Sequence, residues 1–311
     1  MASKVYFADF RCPSWRENLQ QKLARLMMSA GFGDIDMEGK YVAIKLHFGE
    51  PGNLAYLRPN WARAVVDLVK SHDGKPFLTD CNTLYVGGRK NALDHIESAY
   101  INGFTPYSTG CHILIADGLK GNDEVEVPVE GGEYVKSAKI GRAVMDADVF
   151  ISLTHFKGHV MGGFGGSNKN ISIGCADAHT GKKQLHAGAT GQQWGITGRE
   201  FMENMVDATK GITDHFKGHV CYVNVLRRMS VDCDCAGTSA EAPRVPDIGI
   251  FASLDLLAVE QASVDAVYDL GEASAPLRER IESRHGLRQL SAMREIGLGS
   301  ENYEIVDLDK A

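Results

Sequence analysis

Short apolar runs alternate with amphipathic helical segments along this chain, and that alternation constrains the fold more than any other feature. Strand-type runs stand at 4–8, 41–46, 76–79, 113–116, 149–153, 221–225, 248–252 and 303–306. Helical periodicity marks 18–30, 60–70, 89–100, 140–146, 201–216, 256–268, 277–284 and 287–296, while 124–129 alternates as an exposed strand. Strands alternating with helices of this size predict βαβ units: an α/β fold of mostly parallel sheets with flanking helices. The pattern pauses at the turn-rich TPYSTG, which predicts two lobes, 1–104 and 105–311, with a site in the cleft between them. Ligands of parallel sheets sit beyond the carboxyl ends of the strands. The informative segments are therefore HFGEPGN (47–53), DCNTLY (80–85) and THFKGH (154–159).

With 311 residues, 44% hydrophobic and 23% charged, the chain has enough apolar material for a large core. A net charge of −7 gives no sign of the basic face that duplex nucleic acid requires, so no nucleic-acid partner is expected. No apolar run is long enough to cross a membrane, and MASKVYFADF does not read as a secretory leader. Seven cysteines without framework spacing fit a reducing cytoplasm, which is the expected location.

The densest chemistry lies in Ser152–Cys175, where a buried strand ends and His155, Lys157 and His159 follow. Glycines at 162, 163, 165 and 166 come next, then Asn168, Lys169 and Asn170. Such a loop lets backbone approach a bound group, and its successive N–H groups suit an anion. Neither the nucleotide P-loop spacing nor the dinucleotide G-x-G-x-x-G pattern is present. HFKGH recurs at 215–219, where Lys and Gly are ordinary helix-terminal residues, so the pentapeptide alone carries no function. Strand alternation puts Lys45 and His47 on one face. A lysine inside a buried strand needs a partner. Lys45 is therefore either paired with Glu50 or Asp80, or used as a ligand group. Asp80 orients a histidine, holds a ligand hydroxyl or serves a turn. Cys233 and Cys235 form a C-x-C pair that suits a soft metal, or are plain thiols.

VAIKLHFGEPGN, PFLTDCNTLYVGGRKNALDH, ISLTHFKGHVMGGFGG-x-x-KN and the late CDC…PDIGIFASLDLLAVEQAS resemble domain-of-unknown-function family 362 over nearly the whole chain. Many members of that family carry a ferredoxin-like insert. This chain has no cysteine between Cys175 and Cys221, and Gln192–Gly198 stands where the insert would be. Electron transfer through that insert is therefore not expected. A cluster on Cys175, Cys221, Cys233 and Cys235 is the weaker alternative.

His159, Gly163, Phe164, Gly166 and Lys169 also resemble, in the same spacing, the cofactor-binding stretch of the nickel-pincer lactate racemase family. That resemblance implies a racemase-like fold, Lys169 as the anchor of a nickel-pincer nucleotide, His159 as proton acceptor and His186 as nickel ligand. Gly163, Gly165, Gly166, Asn168, Asn170 and Asp80 complete the expected cofactor-binding set. His155, Lys157, Lys45 and His47 join His159 as candidate catalytic groups, with Lys45 or Lys157 neutralising a substrate carboxylate. Histidine suits proton transfer near neutral pH, and side chains cannot accept hydride. The function expected is a metal-cofactor enzyme, a racemase, epimerase or other hydrogen-transfer enzyme, acting on a small 2-hydroxy acid or similar carboxylate. The alternatives are an iron–sulfur or zinc thiolate redox protein and a non-catalytic anion-binding or assembly protein. Oligomeric state leaves no trace in the sequence.

Overall fold

The computed structural model describes residues 2–12 and 17–310. Its strands are β1 (Ser3–Ala8), β2 (Tyr41–Lys45), β3 (Lys75–Asp80), β4 (Ile113–Ile115), β5 (Glu124–Pro128), β6 (Ser137–Gly141), β7 (Val149–His155), β8 (Lys157–His159), β9 (Gly163–Gly165), β10 (Val220–Leu226), β11 (Gly249–Ser253) and β12 (Tyr303–Asp307). The helices are α1 (Leu19–Ser29), α2 (Pro59–Ser71), α3 (Ala92–Ile101), α4 (Pro106–Thr109), α5 (Arg142–Met145), α6 (Ser167–Cys175), α7 (Gly181–Ala187), α8 (Arg199–Phe216), α9 (Leu256–Asp269), α10 (Ala275–Ser283) and α11 (Arg288–Glu295).

Eight strands form one sheet in the order β12-β1-β11-β10-β7-β2-β3-β4. All neighbours are parallel except β11, which runs antiparallel to both β1 and β10. This is the expected α/β fold with a mainly parallel sheet. Strand alternation sends side chains to two opposite faces. Val42, Ile44, Val149, Ile151, Cys221 and Val223 face one core with α1 and α2. Ala43, Phe150 and Tyr222 face the other with α6, α8 and α9. The sheet is thus covered on both faces, as buried parallel strands require.

Residue 104 does not divide two sheets. Strands β2 and β3, before it, hydrogen-bond to β7 and β4, after it. The chain moves from β2 outward to β3 and β4, then returns to place β7 on the other side of β2. Beyond the carboxyl ends of β2 and β7, connections depart in opposite directions, which opens a crevice.

One local expectation is corrected. Ile140 was expected to begin a helix over 140–146, but it lies in β6 opposite Val125, and only Arg142–Met145 is helical. Pairing with β5 satisfies the Ile140 backbone and buries its side chain, so tertiary contact overrides local periodicity. The polar stretch after the glycine loop is a helix, α6. The second HFKGH does end a helix: Lys217 caps α8 in the left-handed conformation.

Candidate functional site

A cavity of about 330 Å³ opens beyond the carboxyl ends of β2, β3 and β7, within the size range of small-molecule sites. It takes in Lys45, His47, Asp80, Lys157, His159, Gly165, Gly166, Lys169, Asn170, His186, Cys233 and Cys235 of the residues expected from the sequence. It therefore draws on the chain both before and after residue 104. His155, Gly163 and Asn168 do not line it. The His155 ring is held between Asp234 (Nδ1, 2.9 Å) and the Arg227 carbonyl (Nε2, 2.7 Å). Asn168 donates to Gln289 (2.9 Å) and accepts from Thr209 (2.8 Å), tying α6 to α11 and α8. Gly163 packs on the backbone of Ile281 and Gly286.

The strand ends supply a buried ionic frame. Lys45, last in β2, pairs with Asp80, last in β3, at 3.1 Å. Arg89 bridges Asp80 (3.2 Å) and Glu50 (2.8 Å) and donates to the Tyr85 hydroxyl (2.7 Å). Burial alone would raise the Asp80 carboxyl, but Lys45, His95 and Arg89 outweigh it and hold it well below the usual carboxylate range. Asn170 accepts from Lys45 Nζ (3.0 Å) and donates to the Lys45 carbonyl (3.1 Å) and Ser152 (3.0 Å), so α6 fixes the lysine from above.

Sequence reasoning missed Arg89 and Lys182 as cavity residues. Arg89 sits in the turn before α3. Lys182 lies four residues before His186 on α7, the helical spacing that puts both on one face. The Lys182 ammonium donates to the Ala176 carbonyl (2.6 Å), and its own carbonyl accepts from His186 Nδ1 (2.7 Å). Among the described residues neither Lys182 nor Lys169 has a carboxylate within ion-pair distance; Lys169 faces the Cys233 sulfur and Lys182 only a backbone carbonyl, so Lys182 brings positive charge to the wall.

The three histidines of the wall differ in which nitrogen is free. Carbonyl oxygens only accept, so the neutral His186 ring carries its proton on Nδ1 and has its lone pair on Nε2. This is the orientation in which imidazole ligates a metal while a carbonyl holds its other nitrogen. His159 is the reverse. Its Nδ1 accepts from the N–H groups of Gly162 (2.8 Å) and Met161 (3.3 Å), which puts the proton of the neutral ring on Nε2. His47 Nδ1 likewise accepts from Gly49 (2.9 Å), and its buried Nε2 has no partner among the described residues. Burial keeps all three neutral. It drives His47 and His159 well below the ordinary imidazole value, helped by Arg89 and Lys169 respectively, and His186 to about 4.

Cys233 and Cys235 meet Lys169 across the cavity. Lys169 Nζ lies 3.6 Å from Cys233 Sγ. The neighbouring Cys235 thiol outweighs burial and, with Lys169 and Lys157, lowers the Cys233 thiol well below its usual range. The same proximity pushes Cys235 up. Burial works against the Lys169 charge, but the two sulfurs prevail and raise it. One donor atom each from His159, Cys233 and Cys235 lies within 4.8 Å of the others, a spacing that suits a soft metal ion. Cys175 and Cys221 belong to the apolar cores on opposite sides of the sheet, so no four-cysteine cluster forms.

The glycine loop already has a carboxyl partner of its own. Ser167 N–H, at the start of α6, donates to the Glu260 carboxylate of α9 at 2.6 Å. A Cβ at Gly166 would overlap that carboxylate. The backbone at the end of the loop, expected from the sequence to suit a bound anion, is thus capped from within the protein. Burial raises Glu260 to about 7 against its hydrogen bonds from Asn224 and the α6 backbone.

None of the helices among the described residues is long and apolar enough to cross a membrane. No curated protein matches the sequence. Among solved structures, the chain is similar to the lactate racemase apoprotein from Thermoanaerobacterium thermosaccharolyticum, with a TM-score of 0.46 and 12% identity over 72% of this chain and 50% of that one. A crystal structure of a protein from Thermotoga maritima is similar at a TM-score of 0.46 and 12% identity, over 68% of this chain and 51% of that one. The chain therefore spans about half the length of each. Residues 42–265, which hold the strand ends, the glycine loop, α6 and the CDC pair, match the domain of unknown function DUF362, and the chain belongs to that family.

Proposed function

We propose that this chain is an enzyme that moves hydrogen on a small carboxylate, a 2-hydroxy acid or similar metabolite, with a metal-bound organic group anchored at Lys169. The observation that carries this reading is the convergence of Lys169, His159 and His186 on one cavity with a cationic wall. Such a group, a nickel-pincer nucleotide in the family that the glycine loop resembles, supplies the hydride acceptor that side chains lack. The residues present suit it. His186 offers Nε2 to a metal, and Lys169 reaches the cavity from the first turn of α6.

The remaining roles follow from charge and tautomer. Lys182 attracts the carboxylate, and Lys45 with Arg89 keeps the strand ends rigid beneath it. His159 presents Nε2–H as a hydrogen-bond donor to a substrate oxygen. Its use as a base, expected from the sequence, requires the ring to turn and release the Gly162 and Met161 N–H groups. The test is anaerobic purification from the native host, followed by metal analysis, intact mass and chiral analysis of a 2-hydroxy-acid panel. Nickel, a mass adduct on Lys169 and a loss of about a hundredfold or more in Lys169→Ala and His186→Ala are expected. Metal-free protein with unmodified Lys169 and no turnover on the panel overturns the reading.

The second reading is a thiolate metal protein, favoured by the His159, Cys233 and Cys235 donors. Iron or zinc that is lost in Cys233→Ser but kept in Lys169→Ala would select it.

A further inference from the structure

We infer that Cys233 and Cys235 are a redox pair, which a small hydroperoxide entering the cavity converts to an intramolecular disulfide. The residue between them sets the geometry. The Asp234 carboxylate is turned into the protein, where His155 Nδ1 (2.9 Å) and Lys157 (3.3 Å) hold it. Its carbonyl accepts from the Glu50 N–H (3.2 Å). With the middle side chain fixed inward, both flanking thiols line the cavity, and the two sulfurs lie within 4.8 Å of one another. A disulfide requires the two sulfurs to close from that separation to the S–S bond length of about 2.05 Å.

The other cysteines are not arranged this way. Cys81 donates its thiol hydrogen to the Cys175 carbonyl at 3.2 Å. Cys111, Cys175 and Cys221 are buried, and Cys12 is exposed. The two sulfurs of the pair also differ. The Lys169 ammonium contacts Cys233 and stabilises negative charge there, which makes Cys233 the attacking sulfur and Cys235 the resolving one.

The chemistry balances in two steps. Cys233 sulfur attacks the terminal peroxide oxygen and the O–O bond breaks. The alcohol or water leaves with the thiol proton, and Cys233 becomes a sulfenic acid. Cys235 sulfur then attacks Cys233 sulfur, the S–O bond breaks, and the second oxygen leaves as water with the Cys235 proton. Two electrons pass from the dithiol to the hydroperoxide, and an external thiol reductant restores the pair.

The pair is tested on the full chain, reduced, chelator-treated, desalted and exposed to one equivalent of hydrogen peroxide at neutral pH. Mass mapping follows the tryptic peptide that begins after Arg228 and ends at Arg244. That peptide is expected to lose two hydrogens at least about tenfold faster than Cys12 is oxidised. In Cys235→Ser the reaction should stop at a sulfenic acid on Cys233, captured by dimedone. The inference is overturned if the wild-type peptide stays reduced while Cys12 oxidises, or if the captured adduct lies on another cysteine. The wild-type measurement depends on no variant folding, and the intact mass of the same sample is checked first, so that the protein exposed to peroxide carries an unmodified Lys169.

Discussion

Three histidines of the cavity wall, and His95 beside Asp80, titrate against folding. Burial holds His95 and His186 at about 4, and it holds His47 and His159 well below 6.5. Between pH 6.5 and 4 the unfolded chain binds protons that the folded chain refuses. Stability is therefore expected to fall as pH drops through that window, by up to about 3 kcal/mol for each of His95 and His186. Urea midpoints from pH 7 to 4 measure this. His186→Asn should flatten the slope, and a midpoint unchanged between pH 7 and 5 would count against the buried tautomers. Asp80 and Asp234 act in the same direction at lower pH, both being depressed. Their contribution is present above about pH 4 and is lost below it. Asp80→Asn leaves Lys45 and Arg89 without a shared carboxylate, and about 3–5 kcal/mol of stability should be lost by chemical denaturation. Lys45→Met combined with Asp80→Leu should cost less than Asp80→Asn alone, because no buried charge is then orphaned. Lys45, Asp80, Lys169 and the CDC pair were legible because charged or thiol residues followed apolar strands or a glycine loop. The tautomers were not, because each depends on a backbone group that folding brings to the ring.

Helix α6 joins the sheet to the cavity. It carries Lys169 and Asn170 inward, while Glu260 caps its N-terminus. Gly174, in its last turn, lies against the Lys45 ammonium, and a Cβ there would overlap Nζ and Cε. Gly174→Ala is expected to push Lys45 off Asp80 and to destabilise by about 1–3 kcal/mol, measured by thermal unfolding. Unchanged stability in that variant would mean that Lys45 has room to move. The helix escaped sequence reading because SNKNISIGC has little apolar periodicity. It forms because Asn168 bonds to two neighbouring helices and Asn170 bonds to two strands, at the end of β2 and in the middle of β7. The strand β6 escaped for a similar reason: its pairing with β5 is a contact that no local window contains.

The whole molecule is built around one sheet that interleaves the two halves of the chain. Strand β1 lies between β11 and β12, and β2 lies against β7. A fragment of residues 1–104 would expose the α1 and α2 core face, with both neighbours of β1 missing and β7 missing beside β2. It is expected to lack cooperative unfolding by circular dichroism, whereas the full chain should unfold in a single urea transition. A fragment with a sharp transition of its own would show that the first segment holds its own core.

Local pattern alone determined the alternation of strands and helices, the parallel α/β class and the polar strand ends where a ligand would sit. Those properties follow from side-chain periodicity and turn chemistry, which act over a few residues. Tertiary structure decided the return of β7 to the side of β2 and the meeting of Arg89 and Lys182 with Lys169. It also decided the filling of the glycine loop by Glu260 and the facing of Cys233 to Lys169. Each of these pairs groups that are distant in sequence, and each is stabilised by burial, which a linear pattern does not encode.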